Sequence, residues 1–222
     1  MKPTSLAAVL ISTGLCIPSV PVRADEITIT PSRDVTFNED TFGDSGNGSG
    51  EYLFTGRNAV GSRKRAILFF DIASALPAGA TVESVTLTMH CSRTSSGLRS
   101  VGLHTALADW GEGASNPPNN EGSGGPAAEN DATWIYRFFV PGGQGPTWDT
   151  PGGDFLPTAS AITSVGGEGQ FYSWSSAQMA ADVQGWLDDA SSNFGWFVVG
   201  TETQTRTSKR FDSRTNPDQS FR

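Results

Sequence analysis

An antiparallel β-sandwich, jelly-roll-like and with one short amphipathic helix near residues 176–188, is the all-β fold this sequence predicts. Three observations predict it. Apolar residues alternate with period two in most segments, 26 glycines and 13 prolines supply many turns, and one stretch has helical spacing with no alternating βαβ pattern around it.

Residues 1–24 read as an export signal: Lys2, an apolar run over 6–22, then Val22, Arg23 and Ala24 with small residues at the cut. Pro18 and Pro21 interrupt a run too short to span a bilayer, and Leu15 stands before Cys16 where lipoprotein processing requires a small residue. Cleavage is therefore expected, with no membrane insertion afterwards. Residues 25–222 are expected to form one domain, secreted or held at the cell envelope. A chain of that size buries about 70% of its unfolded surface.

Strands are expected at 26–30, 35–38, 52–55, 63–72, 82–91, 101–107, 134–139, 162–165, 196–200 and 209–212. In 82–91, Val85, Leu87, Met89 and Cys91 share one face and Thr86, Thr88 and His90 the other. The run "RKRAILFFDI" at 63–72 is apolar on both faces, as a doubly covered central strand should be. "RTSSGLR" reads as a hairpin loop centred on Gly97, which would set His90 opposite His104. Residues 112–131 lack periodicity and read as a long surface loop. In the helix, Ser175 or Ser176 can cap the start, and Met179, Val183, Trp186 and Leu187 form one apolar stripe.

Composition excludes several functions. Signal cleavage removes Lys2 and Arg23 from 15 basic residues against 23 acidic ones, a balance that argues against a nucleic-acid partner. Only Cys91 would remain, so no internal disulfide can form. "GDSGNGSG" at 43–50 and the His90–Cys91 pair resemble fragments of chymotrypsin-like proteases. In those enzymes His precedes Ser in the chain, whereas Ser45 comes before either histidine here, and Asn47 replaces a required glycine. There is no phosphate loop and no zinc-type spacing.

Metal candidates are limited to Asn38, Glu39, Asp40 and Asp44, an oxygen-rich loop that a structural calcium ion would suit, and the pair His90 and His104, which lacks an evident third ligand. No cofactor is required. Carboxylates near Trp110 and Trp148 could serve glycosidase chemistry only at a separation that sequence does not specify.

The C-terminal third carries the most specific pattern. "FYSWSSAQMAADVQGWLDDASSNFGWFVVG" followed by "SKRFDSR" resembles the DNRLRE-domain family at Val183, Trp186, Leu187, Asn193, Phe194, Gly195 and 210–214. "KRAILFFDIASALPAGATVESVTLTM", "DWGEG", "ATWIYR" and "WDTPGGDF" resemble its other motifs, so the likeness spans nearly all of 25–222. It implies a secreted β-sandwich related to carbohydrate-binding modules of family ninety-six, often attached to an enzyme or surface protein. The family continues past the position of Arg222 with a closing strand, so this chain is expected to lack its final strand.

Eight basic residues cluster in two short segments: Arg57, Arg63, Lys64, Arg65, and Arg206, Lys209, Arg210, Arg214. Guanidinium groups grip carboxylates in bidentate fashion, which suits an acidic polysaccharide. Pairing of Arg210 and Arg214 with Asp71, Asp212 or loop acids is the structural alternative. Trp186 and Trp196 fall in apolar patterns and belong to the core. Trp110, Trp134 and Trp148 flank Gly- and Pro-rich loops and are candidate platforms, each stacked ring contributing only ~1 kcal/mol beyond its area. The expected ligand-binding residues are thus Arg63, Arg65, Lys209, Arg210, Arg214, Trp110, Trp134 and Trp148. The expected function is non-catalytic polysaccharide binding; a structural or adhesive envelope protein is the alternative, and a polysaccharide lyase or hydrolase a third reading.

Overall fold

A computed structural model describes residues 25–143 and 145–222; the export signal expected over 1–24 lies outside the described residues. The elements are β1 (Arg33–Asn38), β2 (Ser45–Gly46), β3 (Tyr52–Arg57), β4 (Arg63–Phe69), α1 (Ile72–Ala75), β5 (Thr86–Thr94), β6 (Arg99–Thr105), β7 (Gly125–Pro126), β8 (Ala161–Val165), β9 (Gln170–Ser175), α2 (Ala177–Asp188), β10 (Trp196–Gly200) and β11 (Lys209–Asp212). Nine strands form one antiparallel sheet in the order β8-β6-β10-β4-β3-β11-β5-β9, with β1 on β4. The sheet folds over at the β3–β4 hairpin into two layers. Its far ends meet again where Thr163 Oγ1 donates to the Ser173 carbonyl at 2.6 Å, so the expected sandwich is nearly closed.

β4 shows why alternation produces this fold. Ala66 and Leu68 join the core between the layers, while Ile67 points the other way into a second core. Its neighbour β10 divides alike: Trp196 and Val198 face the first core, Phe197 the second. Helix α2 covers the first core with Met179, Val183 and Trp186, as its stripe predicts, and Ser176 caps it by accepting from Met179 N.

The second core has no facing sheet. Segment 106–155 lies over it as irregular chain, contributing Trp110, Trp134 and Trp148 against Phe37 and Phe197. Buried backbone in such a segment still requires partners. It finds them across the segment: Gly111 N donates to Arg137 O at 2.9 Å, Ala132 N to Gly111 O at 2.7 Å and Trp148 N to Ile135 O at 2.9 Å. Gly153 permits the close approach, with φ +108° and a ring so near that a Cβ would sit 2.2 Å from Phe197.

Several expectations are corrected. β5 and β6 do not form a hairpin: β5 pairs with β11 and β9, β6 with β10 and β8, so the connection at 95–98 is an arch between layers. The two strands bury their apolar faces in the same core from opposite layers, Met89 and Cys91 from one and Val101 and Leu103 from the other. Residues 26–30 and 134–139 form no strand, the latter reduced to a bridge between Tyr136 and Thr147. The 112–131 loop is not merely superficial, since Ser115, Glu121 and Asp131 are buried. Among the described residues, no helix is long and apolar enough to cross a membrane.

Candidate functional site

Four of the five expected cations are engaged by partners within the chain, Arg65 and Lys209 buried, Arg63 and Arg214 partly exposed. Arg65 is buried; its guanidinium holds both Glu202 oxygens at 2.8 Å, donates to Gly152 O at 2.8 Å and lies between the rings of Trp134 and Phe155. Lys209 is 1% exposed, its Nζ directed at Thr94 Oγ1, Ser96 O, Gly97 O and Gly166 O at 2.7–3.0 Å. It ties the β5–β6 arch to the β8–β9 turn. Arg63 pairs with Glu39, whose carboxyl is thereby held down at about 2, against an ordinary value near 4.5. Arg214 takes Glu112 in a fork and lies 3.8 Å from Asp34, whose carboxyl burial pushes up to about 7. These four are therefore structural ties, and the expectation that they form a free binding ridge is corrected.

The tryptophan platforms are corrected too. Trp110, Trp134 and Trp148 are buried, and the indole N–H groups of Trp110 and Trp148 donate to the Phe194 and Thr133 carbonyls at 2.9 Å. Large aromatics beside turn-rich chain go inward here because that chain is itself the lid of a core.

The metal candidates separate. Glu39 is bound to Arg63, Asp40 accepts the turn amides of Phe42 and Gly43, Asn38 contacts Lys64, and Asp44 is exposed. His90 is buried against Asp212 at 2.5 Å and stacked on Phe221, whereas His104 meets the Leu156 carbonyl. Among the described residues, no three His, Cys, Asp or Glu side chains converge as metal ligands. Neither histidine has Ser45 among its hydrogen-bond partners.

Arg210 differs from the other four. It projects from the outer face of β11, opposite the inward Phe211, with its guanidinium 3.7 Å above the Tyr52 ring and Nε donating to Ser92 Oγ at 3.1 Å. Its partner across β5 is Arg93, exposed and donating to Asn120 Oδ1 at 3.2 Å. Among the described residues, no carboxylate lies within 4 Å of either guanidinium. Two strands further along the same face, Phe171 is 53% exposed beside His90. No family model matches the chain, and no curated protein matches it. The site is read from its own residues.

Arg93 is the residue that sequence reasoning missed. The ladder register shifts between Arg210 and Phe211, leaving Ser92 as an extra residue. Simple alternation gives Arg93 the parity of the buried Cys91, and the bulge brings it out beside Arg210. The only sequence signal was a basic residue close to a predicted strand end.

Proposed function

We propose that this protein is a secreted, non-catalytic carbohydrate-binding module that holds an anionic polysaccharide on the outer face of β3, β11, β5 and β9. The observation that carries the reading is the Arg93–Arg210 pair. In a chain with 23 acidic and 15 basic residues, two adjacent arginines without carboxylate partners among the described residues form an unneutralised site. Their spacing across one ladder suits carboxylate or sulfate groups repeated along a polymer. Ser92 and Asn120 orient the two guanidinium groups, and Tyr52 backs one of them. Ordered in advance, they lose less side-chain freedom on binding. Secretion rests on the signal pattern at 1–24.

Affinity electrophoresis and calorimetry against polyuronates, sulfated polymers and neutral glucans test this. An anionic polymer should be retained, retention should fall with added salt, and Arg93→Ala or Arg210→Ala should each weaken binding about tenfold, or ~1.4 kcal/mol. Salt-insensitive binding, or binding unchanged in both variants, would overturn it.

A further inference from the structure

Asn38 on β1 and Lys64 on β4 are direct partners in the ladder, 5% and 3% exposed. Lys64 Nζ donates to Asn38 Oδ1 and to the Gly122 carbonyl and lies 5.5 Å from the Phe54 ring centre. No carboxylate among the described residues is within 4 Å to balance its charge. Burial alone pulls the ammonium down to about 8, so a neutral amine is accessible near physiological pH. Beside it, the amide nitrogen of Asn38 is buried with no hydrogen-bond acceptor among the described residues. A buried cation without a counter-ion and a buried N–H donor without an acceptor are each unfavourable, and here they share one contact.

One reaction removes both defects. We propose that Lys64 Nζ and Asn38 Cγ condense to an intramolecular isopeptide bond joining β1 to β4. The amine lone pair of neutral Lys64 attacks Asn38 Cγ, the Cγ–Nδ2 bond breaks, and the nitrogen leaves as ammonia carrying a proton given up by Nζ. No electrons are exchanged with any other group. The product is a neutral secondary amide, with neither the buried charge nor the orphaned amide nitrogen. Ser45 Oγ borders the departing nitrogen across Gly124, where a Cβ would stand 2.3 Å from Ser45 Oγ and 2.5 Å from Asn38 Nδ2. Gly124, at φ +69° and without a side chain, leaves that space open. With no carboxylate of the described residues within 4 Å of Nζ to catalyse proton transfer, formation is slow and accelerates as the amine deprotonates. The link closes the chain over 38–64 in a domain whose described residues hold one cysteine, Cys91, and so no disulfide. The inference is independent of glycan binding.

Intact-mass spectrometry and peptide mapping of the purified protein, incubated at about pH 7 and about pH 9, test it. The protein should become lighter by one ammonia, faster at the higher pH, and digestion should yield a branched peptide joining Asn38 to Lys64. Lys64→Met and Asn38→Ala should each keep the full mass. A wild-type protein that retains its full mass after the alkaline incubation would overturn the proposal, a result that does not depend on any variant folding. So would an ammonia loss that maps to succinimide at Asn47–Gly48 and persists in Lys64→Met.

Discussion

The two faces of the layer containing β4 are covered in different ways. On one side a second sheet layer and α2 supply a large core that spreads Trp174, Trp186, Trp196, Phe70 and Phe211 among many aliphatic side chains, with Leu53, Leu68, Val101, Leu103 and Val198 meeting from four strands. On the other, irregular chain over 106–155 supplies three tryptophans against Phe37, Ile67 and Phe197. A strand brings only every second residue to a core, so two facing sheets fill the gap with many residues, aliphatic and aromatic together. A loop brings few residues inward, so each must be large, and a buried indole N–H still needs an acceptor, which Trp148 finds within the loop at Thr133 and Trp110 beyond it at Phe194. The loop-built core therefore concentrates its stability in a few aromatic residues.

That contrast can be broken most directly at Trp148. Replacing it with Ala removes a ring packed on both Phe37 and Phe197 and leaves the Thr133 carbonyl without its donor. A loss of about 4 kcal/mol is expected. If the loop-covered face is part of one cooperative unit, denaturant curves followed by fluorescence and far-UV circular dichroism will shift together. Separate transitions would show that 106–155 unfolds as its own unit.

A somewhat smaller effect is expected at Arg65, which joins the loop-covered face to Glu202. Arg65→Ala leaves the Glu202 carboxylate partly buried without its partner, a loss of about 3 kcal/mol in chemical denaturation. Changing both residues to apolar ones of similar volume should recover much of it, because neither charge is then stranded. On the sheet-covered side, Leu103→Ala is expected to lower stability by about 2–3 kcal/mol. Neighbouring aliphatic groups there can shift toward the vacated space. An equal or larger loss at Leu103 than at Trp148 would refute the idea that the loop core is the more concentrated one.

The two faces can also be separated by pH. Glu39, paired with Arg63 on the loop-covered side, has its folded pKa lowered to about 2 from 4.5. Its stabilisation is present above about 4.5 and is lost as pH falls toward 2. Glu39→Gln should flatten the acid limb of a Tm-against-pH curve. Asp34 lies on the opposite face of β1, its carboxyl pushed from 3.8 to about 7 by burial. Between those values the unfolded chain has released a proton that the folded one keeps, so stability declines as pH rises and levels off above about 7. Asp34→Asn should remove that decline and leave the acid limb unchanged.

Arg210 and Arg214 show how far the candidate site could be read in advance. Parity correctly set Arg210 outward and Phe211 inward. It could not foresee that Arg214 would meet Glu112, whose number is distant by about a hundred residues and whose segment has no periodicity. Arg93 needed a bulge that alternation does not contain. His90 and His104 were separated by an arch where sequence suggested a hairpin, because two short strands joined by a turn obey the same local pattern whether they pair or cross between layers.

By itself, the order of residues determined what was local: the period-two faces of β4, β5 and β10, and the α2 stripe with its Ser176 cap. Those properties depend on side chains a few positions apart. Only the tertiary structure decided which cations stayed unpaired and which tryptophans were buried. Both depend on partners that folding brings together from distant parts of the chain, and no local periodicity encodes such encounters.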